Sequence, residues 1–65
     1  MTRDGARAFD LAEIDALRSL ARRDLANARH HLDSMDYLAD EDPDCVDPAF
    51  QARVDSLRTL IEEAP

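Results

Sequence analysis

Asp40, Asp42 and Asp44 occupy alternate positions between two apolar-periodic stretches, and a D-x-D-x-D run of this kind opens a helix–loop–helix calcium site. The rest of that loop does not follow. Its sixth position requires glycine for a sharp turn and is Cys45, its twelfth requires a bidentate Glu and is Gln51, and Pro43 stiffens the middle. His30 and His31 are adjacent, so on a helix they point about 100° apart and do not readily chelate one ion. Cys45 is distant from them and sits among acids, which raise a thiol pKa and suppress the thiolate. No Ser/His/Asp spacing or glycine-rich phosphate loop occurs. The reading therefore assigns no catalytic, metal-binding or cofactor-binding residue and expects a non-enzymatic protein.

Charge offers two further candidates. Residues 1–31 hold six Arg against five acids, a net of +1, whereas residues 32–65 hold two Arg against ten acids, a net of −8. Arg18, Arg22 and Arg29 fall in one helical sector with Asp15, Asp33 and Asp36, and could receive an anion. Asp40, Glu41, Asp42 and Asp44, with Asp33, Asp36 and Asp47 nearby, concentrate negative charge where a basic protein surface could dock. An overall charge of −7 argues against nonspecific nucleic-acid binding, because phosphate contacts supply most of that affinity.

These groups need elements to hold them. The spacing predicts a long helix over 10–39, with Asp10 as N-cap, Glu13 completing a capping box and Phe9 and Ile14 forming a hydrophobic staple. Leu11, Ile14, Leu17, Ala21, Leu25, Ala28, Leu32, Met35 and Ala39 recur at steps of three and four along it, with Leu20 and Leu38 at the margin. Asp24 and His31 lie within or beside that stripe, either at its rim or as polar contacts that set the register of a helix pair. Residues 1–8 read as a flexible lead-in and residues 40–47 as an acidic turn. A second helix over 48–63 begins at the Asp47 N-cap with Pro48 at N1. Phe50, Val54, Leu57 and Ile61 form its apolar stripe, and Arg53 lies inside the arc with its head free to reach an acid.

The expected architecture is all-α: one domain, an antiparallel two-helix hairpin with Leu25, Leu32, Met35, Phe50, Val54, Leu57 and Ile61 as its core. The shorter helix covers only part of the longer one. Phe9, Leu11, Ile14, Leu17, Leu20 and Ala21, with Asp24 and His31, are then left as a self-association surface, most simply for a homodimer that forms a four-helix bundle. The function expected is a small protein–protein interaction module, an adaptor or an inhibitor, with RNA or DNA binding through the Arg sector of a dimer as the alternative. One cysteine excludes an intrachain disulfide. Neither a secretory leader nor an apolar run near 18 residues is visible, so a cytoplasmic, non-membrane setting is expected.

Overall fold

The computed structural model describes residues 4–65, so the first three residues of the expected lead-in lie outside the described residues. The fold is all-helical, as expected, but it has three α-helices rather than two. They are α1 (Asp4–Ala21), α2 (Leu25–Glu41) and α3 (Pro48–Glu63), with a 3₁₀ turn at Pro43–Cys45 between α2 and α3. The single long helix expected over 10–39 is broken at Arg22–Asp24, and its two halves fold back on each other.

The break is a complete helix stop followed at once by a helix start. Arg23 adopts a left-handed conformation with φ 63°. Its N–H donates to the Leu20 carbonyl at 3.0 Å, and the Asp24 N–H donates to the Ser19 carbonyl at 2.9 Å. That pair of bonds closes a Schellman motif and satisfies the carbonyls that α1 leaves open. Asp24 then caps α2: its carboxylate accepts from the Asn27 N–H at 3.3 Å and from Asn27 Nδ2 at 2.6 Å. The polar intruder in the apolar stripe is thus a cap, and it is exposed.

Residues 4–8 are helical rather than flexible. Their anchor comes from the 3₁₀ turn between α2 and α3, where Asp44 Oδ2 accepts from the Gly5 N–H at 3.1 Å. A carboxylate at a helix N-terminus satisfies an open donor and complements the helix dipole. Asp10 and Glu13, expected to cap the helix, instead lie in its interior. Asp42 ends α2, and its carboxylate accepts from the Asp44 N–H at 2.8 Å to start the 3₁₀ turn. Asp40 and Glu41, expected in the turn, belong to the last turn of α2. α3 starts as expected, with the Asp47 carboxylate accepting from the Ala49 N–H at 2.9 Å and Pro48 at the first helical position.

The core comprises Phe9, Ala16, Ala28, Leu32, Met35, Cys45, Val54, Leu57 and Ile61, with Ala12, Leu20, Leu38, Ala39 and Phe50 packed partly against it. Ala12, Ala16 and Ala28 are small residues of the packed α1–α2 pair, and Gly5 makes room for the Asp42 carboxylate at the end of α2. Leu32, Met35, Val54, Leu57 and Ile61 fill the space between α2 and α3. Leu25, expected in the core, is half-buried at its edge. α1 and α3 both pack on α2, while their own backbones stay apart. The Cα envelope measures 40 × 18 × 13 Å.

Candidate interaction surface

Arg53 of α3 bridges to α1. Its guanidinium donates from Nε to Glu13 Oε2 at 3.1 Å and from Nη2 to Glu13 Oε1 at 2.5 Å, and Nη2 also reaches Asp10 Oδ1 at 2.8 Å. The fork is bidentate on Glu13, the geometry that suits guanidinium best. The same group lies 4.8 Å from the Phe9 ring centroid and 5.5 Å from that of Phe50. Those two rings meet edge to face, with centroids 4.9 Å apart. Phe9, expected on the association surface and in a staple with Ile14, is fully buried in this contact. The hydrogen bond to Glu13, and then the one to Asp10, push the Arg53 pKa further above its usual value, so the clamp remains cationic at any ordinary pH.

A groove of ≈ 250 Å³ lies beside the clamp, lined by Glu13, Leu17, Ala52, Arg53, Ser56, Leu57 and Leu60. Ala52 and Ser56 contribute small side chains there, and Leu17 and Leu60 flank the opening. Leu11, Ile14, Leu17 and Leu60 are 51, 44, 46 and 52 % exposed. α1 therefore carries two apolar faces. The inward one is Gly5, Phe9, Ala12, Ala16 and Leu20. The outward one is Leu11, Ile14 and Leu17, with Ala21 exposed at its end.

The expected association surface is accordingly divided. Leu11, Ile14, Leu17 and Ala21 are solvent-facing, Phe9 and Leu20 pack inward, Asp24 is a cap and His31 is half-buried. The mismatch in helix length that motivated that surface does not exist, because α1 doubles back on α2. The exposure of the outward stripe arises from the wheel position of its residues.

The charged candidates separate to opposite ends of the molecule. Arg18, Arg22 and Arg23 cluster at the α1–α2 corner, all exposed, and none forms a salt bridge among the described residues. Arg29 is exposed on α2 and lines a second groove with Leu32, Asp33, Arg58, Ile61 and Glu62. About one helix length away, Asp40, Glu41 and Asp47 are exposed, whereas Asp42 and Asp44 are half-buried and occupied by main-chain N–H groups. Two of the three alternating acids of the calcium-like run, Asp42 and Asp44, thus accept from main-chain N–H groups, and no group of three His, Cys, Asp or Glu side chains among the described residues is placed to hold a metal ion. Arg58 crosses from α3 to Asp36 of α2 at 3.3 Å and also contacts Asp55 at 3.3 Å.

Cys45 is buried beside this acidic end. Burial raises its thiol pKa above the usual 9.0, Asp42, Asp44 and Asp10 raise it further, and Arg53 acts in the opposite direction. The protonated thiol behaves as a small core side chain.

No family model, curated protein or solved structure matches the chain. Among the described residues, no helix is long and apolar enough to cross a membrane.

Proposed function

We propose that this protein is a non-catalytic interaction module, an adaptor or an inhibitor, that binds a protein surface through the outward stripe of α1 and the adjoining groove. The observation that carries this reading is the exposure of Leu11, Ile14 and Leu17 along one side of α1, with Leu17 and the exposed Leu60 also lining the groove, on a chain that has few large apolar side chains to spare. Apolar residues gathered around a concavity and rimmed by charge are the usual mark of a protein-binding face. Self-association into a homodimer belongs to the same reading, because the stripe is available to a second copy. The exposed acids Asp40, Glu41 and Asp47 form a separate contact for a basic partner surface. The one thiol, Cys45, is buried and its pKa is raised, which supports a binding role over a catalytic one. Its lone thiol fits a reducing, cytoplasmic setting.

Site-specific photo-cross-linking tests the reading. A photoreactive residue at Ile14 is expected to yield a discrete protein adduct in the source cell. The same group at Tyr37, which is 67 % exposed but away from the stripe, is expected to yield none. Equal, diffuse labelling from both positions would refute the assignment.

A second reading has one observation in its favour. Arg18, Arg22 and Arg23 lie at one corner and form no salt bridge among the described residues, which suits a phosphate-binding face. Nucleic-acid binding predicts retention on an RNA or DNA column that falls steeply with salt and is lost in Arg22→Glu.

A further inference from the structure

We infer that the outward stripe of α1 receives the same stripe of a second copy, running antiparallel, with the two-fold axis passing beside Ile14. This rests on the interaction-module reading and specifies the occupant and its register. The stripe is nearly self-complementary when reversed about residue 14. Ile14 meets the partner's Ile14, Leu11 meets the partner's Leu17, and Arg18 meets the partner's Asp10. Arg7 falls opposite the small Ala21 of the partner.

The charges favour this register over the parallel one. Arg18 is exposed and has no salt bridge among the described residues. The Asp10 side chain is 57 % exposed and engages Arg53 through Oδ1, which leaves Oδ2 turned to a further donor. Antiparallel pairing gives two symmetric Arg18–Asp10 contacts and opposes the two helix dipoles favourably. A parallel pair would stack Arg7 on Arg7 and Arg18 on Arg18. The groove supports the same arrangement, because Ala52 and Ser56 leave space beside Leu17 for the partner's α1, and Leu60 covers it from α3.

The surface sets the strength of the contact. Four half-exposed aliphatic side chains amount to an apolar patch on the order of 300–400 Å², within the range of functional surface patches. A stable interface buries about 800 Å² per partner, so the dimer is expected at micromolar rather than nanomolar concentration.

Cysteine pairs read the register directly, and Cys45 stays out of the reaction because it is 2 % exposed. Under mild oxidation Ile14→Cys is expected to form a covalent dimer on a non-reducing gel. Leu11→Cys and Leu17→Cys are expected to remain monomeric separately and to cross-link when mixed. Arg18→Glu is expected to weaken dimerisation by about tenfold in sedimentation equilibrium, with circular dichroism unchanged because residue 18 is exposed. Self-cross-linking of Leu11→Cys as fast as Ile14→Cys would overturn the antiparallel register. A wild-type chain that sediments as a monomer at several hundred micromolar would overturn the second copy as occupant. In that case a photo-adduct from position 14 to a different protein would leave the interaction-module reading in place.

Discussion

The two faces of α1 show that apolar size alone does not set burial. The inward face is built from Gly5, Ala12 and Ala16 with Phe9 and Leu20, and the outward face displays Leu11, Ile14 and Leu17. Small residues face inward because α1 lies close along α2, and close helix approach leaves little room for branched side chains. Leu11, Ile14 and Leu17 lie on the other side of α1, where they are about half exposed. Burial in this molecule is thus decided by the spacing between helices more than by the hydrophobicity of each position.

Mutation can break this contrast or sharpen it. Phe9→Ala should have the largest effect, removing a fully buried ring that packs on Phe50 and beneath Arg53. A loss of about 3–5 kcal/mol is expected in urea denaturation, enough to unfold much of so small a domain. Ala16→Leu should follow, because extra methylenes in the tight α1–α2 seam cost about 1–3 kcal/mol; an unchanged urea midpoint would show that the seam is looser than the structure places it. Gly5→Ala should cost about 1 kcal/mol, although the same change in an exposed helix interior gains about that much. The added methyl would collide with the Asp42 carboxylate, which starts the 3₁₀ turn. A rise in melting temperature would contradict this close approach.

Cys45, part of the same buried cluster as Phe9 and Ala16, gives a smaller effect through pH. Its folded pKa is raised, so the native state holds the thiol proton more tightly than the unfolded chain does. The corresponding stability is fully present below about pH 9 and declines as pH rises through the folded value. Alkylation of the native protein should therefore lag well behind that of the urea-unfolded protein at pH 9. Leu17→Ala should have the smallest effect, within about 0.5 kcal/mol at a concentration where the chain is monomeric, because its side chain is already half in water. A loss of several kcal/mol would place residue 17 in the intrachain core and remove the distinction between the faces.

The sequence marks some elements much more clearly than others. α3 is legible because Asp47 and Pro48 signal its start and Phe50, Val54, Leu57 and Ile61 its buried side. The break in the long apolar run is not, because the left-handed position is filled by Arg23 and not by the glycine that normally signals a Schellman stop. Its trace is Asp24, conspicuous as an acid inside an apolar stripe, with Asn27 three positions on. The outward stripe of α1 is legible as an apolar surface, but for a reason that the fold removes. Arg53 is placed by its position in the arc, but its acidic partners lie 40 and 43 positions away and come together only through the three-helix path. The Gly5–Asp44 bond spans 39 positions and is equally invisible to local pattern.

The bend at Arg23 has a mechanical meaning of its own. An arginine gains nothing intrinsically from left-handed geometry, so the kink is sustained by what it joins and not by the residue that makes it. Were the small-residue seam to separate, the local preference of that stretch would be to straighten. A straightened chain over Asp4–Glu41 would form a rod of roughly 57 Å. The folded height of this molecule is therefore a property of a seam of alanines, and a binder that wedged that seam open would change its reach as well as its stability.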